Sequence, residues 1–162
     1  MQSLPFPTIA VINGFCYTGA MELMLAHDLI YAAEECTMAD THAKWGIAPK
    51  WGMSQRLPLR VGLHAAMELS FTCRLVTGIE AQRMGLVNSA VPGVQLEAYV
   101  KGRIEEISKN SAQTVALMKR LYYYGGHRSV REGLKYEQED QTKLTDRGGV
   151  DFKKGMARKS KL

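Results

Sequence analysis

Residues 13–23, Asn-Gly-Phe-Cys-Tyr-Thr-Gly-Ala-Met-Glu-Leu, form the first arrangement in the chain able to do chemistry. A strand that turns into a helix through glycines leaves the first helical N–H groups without partners inside the helix, and the helix dipole behind them favours oxygen anions. Gly19 is the candidate amide donor to such an oxyanion, because a residue with no side chain lets a carbonyl approach closely. The competing reading is that Gly19 serves only the turn. Glu22 stands three residues further on, nearly one helical turn, so its carboxylate can face the same space. A glutamate in a first helical turn is equally an ordinary solvated partner of the dipole. His42 lies in the loop-like stretch Asp40-Thr-His-Ala-Lys-Trp-Gly46, where a lone histidine is structural, exposed or catalytic, and spacing leaves all three open.

The elements that must position these groups belong to an ordinary globular chain. It has 162 residues, 46% hydrophobic and 23% charged, which excludes a disordered, collagen-like or disulfide-stapled class. Its three cysteines, Cys16, Cys36 and Cys73, are odd in number with no CxxC pair, so no disulfide framework and no zinc spacing is present, and no metal site is expected. The balance of 21 basic against 16 acidic residues gives +5, enough to favour phosphate-bearing partners without selecting one. That charge is scattered, with no stripe of interleaved aromatic residues, so nucleic-acid binding ranks last. No apolar run approaches the roughly 18 residues of a membrane span, and the start does not have the pattern of a signal peptide. The last three residues, Ser160-Lys161-Leu162, spell the tripeptide read by a peroxisomal import receptor at a free C-terminus, which sets a peroxisomal expectation.

Residues 8–13 read as a buried strand ending in an Asn-Gly turn, and residues 18–26 as a helix with Thr18 available as its cap. Strands over 29–33 and 36–39 follow, then a loop over 40–51. A strand, a helix and a strand within this length imply parallel pairing and an α/β core. From Ser54 onward the apolar spacing turns helical. Thr77 and Glu80 have capping-box spacing, with Gly85 ending that helix. Leu96, Tyr99, Val100, Ile104 and Ile107 share one helical face. A helix over 112–124 stops at Gly125-Gly126, and Ser129 caps another running to about Thr145.

At this level the motifs resemble the crotonase (enoyl-CoA hydratase/isomerase) superfamily. The likeness rests on Thr8-Ile-Ala-Val-Ile-Asn-Gly14, Gly19-Ala-Met-Glu-Leu23, His27-Asp-Leu-Ile-Tyr-Ala32, Met38-Ala-Asp40 and Ser54-Gln-Arg-Leu57. It continues through Ile79-Glu-Ala-Gln-Arg-Met-Gly-Leu-Val-Asn88 and Asp151-Phe-Lys-Lys-Gly155. The resemblance implies an α/β fold: a crotonase-like spiral of ββα turns over residues 1–90, shortened on its N-terminal side. C-terminal oligomerisation helices over 91–159 and the targeting tripeptide over 160–162 complete the expected organisation. It implies acyl-CoA thioesters as substrates, coenzyme A entering as part of the substrate with no separate cofactor, and a homo-oligomer, trimer or hexamer.

The resemblance also assigns roles. Gly19 matches the second of two amides that hold the thioester oxygen, and Glu22 matches the first of two glutamates that serve the hydratases. His42 stands at the position of the second glutamate, a departure; members with an Ala-Asp-Thr-His stretch are the closest likeness. Trp45, Trp51 and Met53 are candidates for the acyl-pocket mouth, with ordinary packing as the alternative. In the family's C-terminal helix a lysine approaches the nucleotide, which makes Lys153 and Lys154 candidates for the 3′-phosphate. A solvated face or an import flank is the favoured account of them, because a targeting tail must stay exposed to be read. The chain begins at what corresponds to the middle of a family member, so a shortened or fragmentary protein is expected, weak or inactive unless another segment completes it. The expected activity is enoyl-CoA hydration or isomerisation in fatty-acid oxidation. A non-catalytic acyl-CoA-binding or assembly subunit is the alternative, and RNA binding, known in one branch of the family, comes third.

Overall fold

The structure, a computed structural model, describes residues 1–146. Lys153, Lys154, Ser160, Lys161 and Leu162 lie outside the described residues, as does the end of the expected helical region. The described residues form two compact units, one of Met1–Gln2 with Thr8–Lys101 and one of Ser3–Pro7 with residues 102–146.

The first unit is built from two stacked strand-strand-helix turns. The first comprises β1 (Ile9–Ile12), β2 (Phe15–Tyr17) and α1 (Gly19–Leu25); the second comprises β3 (Leu29–Ala33), β4 (Thr37–Ala39) and the single turn α2 (His42–Trp45). β1 pairs with β3 in parallel with Ile9 opposite Leu29, and β2 pairs with β4 in parallel with Phe15 opposite Thr37. Each turn of chain thus lays one strand on each of two sheets. β5 (Val76–Thr77) adds to β4 in antiparallel sense and β6 (Ser89–Val91) to β3 in parallel. The parallel α/β arrangement expected from the strand-helix-strand spacing is present.

Apolar side chains explain the stacking. Ile30, Ala32 and Ala33 of β3 and Met38 of β4 have no accessible surface, and Met21, Met24 and Leu25 of α1 close over them. α3 (Met53–Val61), α4 (Leu63–Thr72), α5 (Gly78–Arg83) and the start of α6 (Gly93–Ser108) complete this core through Leu57, Leu69, Ala81, Leu96 and Val100. Cys16 and Cys36 are free and buried, and burial chiefly pushes each thiol up to about 11, so both behave as small apolar side chains.

Several sequence expectations are corrected. β2 was not expected, because Asn13-Gly14 reads as a turn leading directly into α1; β5 and β6, of two and three residues among helical spacing, also escape notice. The loop expected over 40–51 contains α2. Thr18 precedes α1 but gives it no side-chain cap. At Thr77 the hydroxyl does accept from Glu80 N, while the Glu80 carboxylate bonds to Arg74. Of the apolar face read on α6, Leu96 and Val100 are buried and Ile104 is exposed.

In the second unit, Ser111 caps α7 (Ala112–Gly125), and Ser129 with Glu132 makes a full capping box on α8 (Val130–Glu139). α8 ends six residues before the expected Thr145, at an extended Asp140 whose Oδ1 accepts from Thr142 N. The two helices meet through Tyr124 and Tyr136, stacked at 3.6 Å between centroids, with the Arg128 guanidinium 3.9 Å from the Tyr124 ring centre. Among the described residues no helix is long and apolar enough to cross a membrane.

Candidate active site

The site begins at the junction of β2 and α1. Thr18 has φ 50°, a left-handed conformation costly for a β-branched residue. Two bonds hold it there: its N–H donates to Ala39 O at 2.9 Å, and its hydroxyl meets that of Thr41. The sharp turn so imposed starts α1 at Gly19, whose N–H has no acceptor among the described residues. A Cβ built on Gly19 would stand 3.1 Å from Cζ3 of Trp51, so the indole lies beside the helix start. The glycine lets the indole approach the helix start this closely.

Glu22, on the same helix, is 3% exposed. Its Oε1 accepts two backbone bonds, from Trp51 N at 2.8 Å and Met53 N at 3.1 Å. Gly52 makes this possible, because its φ of 106° turns the flanking amides toward one oxygen. The 51–53 loop therefore wraps the carboxylate and leaves Oε2 facing His42. His42 Nε2 is 3.6 Å from that oxygen, beyond a direct hydrogen bond yet close enough for one oxygen atom to bond both.

His42, 7% exposed, is itself held from behind. Asp40, 2% exposed, accepts from His42 N at 3.2 Å and stands 2.5 Å from His42 Nδ1 through the same Oδ1. Its Oδ2 accepts from the Ser70 hydroxyl at 2.6 Å. The result is a line of polar groups, half-buried at Ser70 and buried from Asp40 through His42 to Glu22. It draws on α4, β4 with the turn after it, α2 and α1.

An apolar cavity of about 370 Å³ opens beside this line. Asp40, His42 and Ser70 supply its polar end, while Met53, Leu57, Leu63, Ala66, Met67 and Phe71 are among its apolar walls. Of the residues read from sequence, Gly19, Glu22 and His42 come together around the 51–53 loop, and Met53 lines the cavity. Trp51 lies outside the cavity wall, beside Gly19, with 67% of its surface exposed. Trp45 is also 67% exposed, with Lys44 Nζ 5.9 Å from its ring centre and no place in the cavity wall. Sequence reasoning missed Asp40, Ser70 and Gly52. Asp40, two residues before His42, carried a signal, since a carboxylate near a histidine is an orienting partner by type. Ser70 carried none. Among the described residues no group of three or more His, Cys, Asp or Glu side chains is arranged to hold a metal ion.

Comparison with known proteins gives concordant matches. The family model described as enoyl-CoA hydratase/isomerase matches residues 1–161. The chain is 37% identical over 141 residues to a protein named probable enoyl-CoA hydratase 1, peroxisomal, of Arabidopsis thaliana, covering 86% of this chain and 52% of that one. It is 33% identical over 132 residues to a probable mitochondrial enoyl-CoA hydratase of Dictyostelium discoideum, covering 82% and 48%. Among solved structures, an enoyl-CoA hydratase of Bacillus anthracis superposes with TM-score 0.83 at 36% identity, over 85% of this chain and 54% of that one. The chain spans about half the length of the curated relatives it matches.

Proposed function

The chain belongs to the enoyl-CoA hydratase/isomerase family, and we propose that it acts on enoyl-CoA thioesters through Gly19, Glu22 and His42. The observation that carries this reading is the pair of buried acid-base atoms, Glu22 Oε2 and His42 Nε2, 3.6 Å apart, with His42 lining an apolar cavity. The acyl chain occupies the cavity, and the thioester oxygen takes the free Gly19 N–H. Charge developing on that oxygen is stabilised by the amide, which leaves the β-carbon of the conjugated chain electrophilic. Water gives a proton to Glu22 Oε2 as its oxygen bonds the β-carbon, and protonated His42 gives its Nε2 proton to the α-carbon. The proton on Glu22 then passes to His42 Nε2 across the short gap, so one water has added across the double bond and the protein is restored. A double-bond shift uses the same pair without water. Coenzyme A enters only as part of the substrate, and no other cofactor takes part.

The test is to incubate the purified chain with crotonyl-CoA and longer enoyl-CoAs and follow loss of the conjugated thioester's ultraviolet absorbance. Turnover abolished in Glu22→Gln supports the reading; unchanged turnover in that variant removes Glu22 from it. A second reading is a non-catalytic acyl-CoA-binding or assembly subunit. Thioester binding without turnover distinguishes it. Self-association as a trimer or hexamer is part of the proposal, with light scattering as its check. So is peroxisomal import through Ser160-Lys161-Leu162 where these form the free C-terminus. The Arabidopsis relative's name supports peroxisomal import, and a fluorescent fusion with and without the tripeptide tests it.

A further inference from the structure

We propose that Asp40, anchored by Ser70, is a positioning residue that fixes the protonation geometry of His42, keeping Nδ1–H bound behind the ring and aiming Nε2 at Glu22. The inference deepens the reading above and rests on it for the chemistry, while the tautomer it predicts stands on geometry alone.

A carboxylate only accepts hydrogen bonds, so Asp40 Oδ1, 2.5 Å from His42 Nδ1, requires the proton on Nδ1. Neutral His42 then carries its lone pair on Nε2, the atom 3.6 Å from Glu22 Oε2. The ring cannot easily turn over. Asp40 also accepts from the His42 backbone N–H, fixing the short turn between the two residues, and its other oxygen is taken by Ser70 from α4. Both Asp40 oxygens are therefore used in holding the ring.

The buried negative charge has a second consequence. When Nε2 receives a proton, the imidazolium lies between the carboxylates of Asp40 and Glu22, and Asp40 stabilises it from the side away from the reactants. Glu22 is held by a different device, the two amides of the 51–53 loop on Oε1. The acid-base pair thus has one partner fixed by backbone and the other by a side-chain relay. That relay lets an imidazole, shorter and differently charged than a glutamate, work at its position.

The experiment compares the full chain with Asp40→Asn and Ser70→Ala. Two-bond proton–nitrogen correlation spectra of the histidine rings report which nitrogen carries the proton, and steady-state kinetics with enoyl-CoA report kcat and KM separately. Expected are an Nδ1–H, bare-Nε2 signature for neutral His42 in the native chain and loss of that signature in Asp40→Asn. That variant should also lose kcat on the order of 10²-fold or more with KM changed less than about threefold. Ser70→Ala should lower kcat by roughly threefold to tenfold with the native fold kept. A native Nε2–H tautomer overturns the proposal, as does an Asp40→Asn protein whose ring signature and kcat match the native ones. If Asp40→Asn fails to fold, the native tautomer and the Ser70→Ala spectrum decide. Absence of enoyl-CoA turnover in the native chain counts against the functional reading, and the spectra still decide the role of Asp40.

Discussion

Asp40 and Glu132 make nearly the same bonds in two different regions of the molecule. Asp40 takes a serine hydroxyl at 2.6 Å and a backbone N–H at 3.2 Å; Glu132 takes a serine hydroxyl at 2.6 Å and a backbone N–H at 2.9 Å. Glu132 reaches three residues back to Ser129 and stays exposed at the start of α8, where water competes for every bond it makes. Asp40 reaches 30 residues forward to Ser70, is buried, and spends its remaining capacity on a histidine beside an apolar cavity. A carboxylate satisfied locally at the surface ends a helix cleanly. The same group satisfied at a distance inside the fold ties together elements that meet only there, and its bonds are strengthened by the low local dielectric.

This contrast is sharpest in what substitution does. Glu22→Gln keeps an oxygen for the Trp51 and Met53 amides and removes the base, so turnover should fall on the order of 10²- to 10⁴-fold with circular dichroism unchanged. Gly19→Val should cost on the order of 10²- to 10³-fold in kcat if its amide holds the oxyanion. A side chain there meets Trp51, so the double variant Gly19→Val with Trp51→Ala separates displacement of the indole from blocked approach to the amide. Recovery of activity in the double variant would assign the defect to the indole.

Stability should divide the same way. Ile30→Ala, at a position of β3 with no accessible surface, should lower unfolding free energy by about 2–5 kcal/mol in denaturant titration. Ser129→Ala, which removes the cap of α8, should cost on the order of 1 kcal/mol and show first as faster amide exchange in that helix. An equal loss at both sites would erase the distinction between the regions.

Acid gives the mildest test. Hydroxyl hydrogen bonds from Ser129, Thr142 and Ser111 hold Glu132, Asp140 and Asp146 below their ordinary values, 4.5 for glutamate and 3.8 for aspartate. A carboxylate with a lowered folded value adds stability that is complete above its ordinary value and is lost as pH falls through the folded one. Amide protection factors in α7 and α8, measured against the intrinsic exchange rate at each pH, should therefore be constant near neutrality and fall only as pH drops below the range 3.8 to 4.5. Protection that instead declined above that range would point to a different group.

Much of the scaffold was legible because its signals are local. The apolar β-branched run of β1, the helix-forming residues of α1 and the three-residue spacing of the Ser129 capping box each report a structure formed by neighbours in sequence. Gly19, Glu22 and His42 were recognisable as candidates from their residue types and from the family motifs around them. β2 escaped because Asn13-Gly14 reads as a turn leading directly into α1, and α8 was drawn too long because the apolar spacing continued past Asp140, where the backbone turns extended.

The sequence by itself determined that parallel strands and helices alternate, that a glycine opens α1 with a glutamate on the same helix, and that a histidine follows β4 within a few residues. Only the tertiary structure decided that Glu22 faces His42, that Ser70 stands behind Asp40, and that Gly52 turns two amides onto one oxygen. The physical reason is range. Propensity and capping act over three or four residues, whereas a buried charge must find its partners wherever packing brings them, and leaving it without them costs more than the fold can absorb.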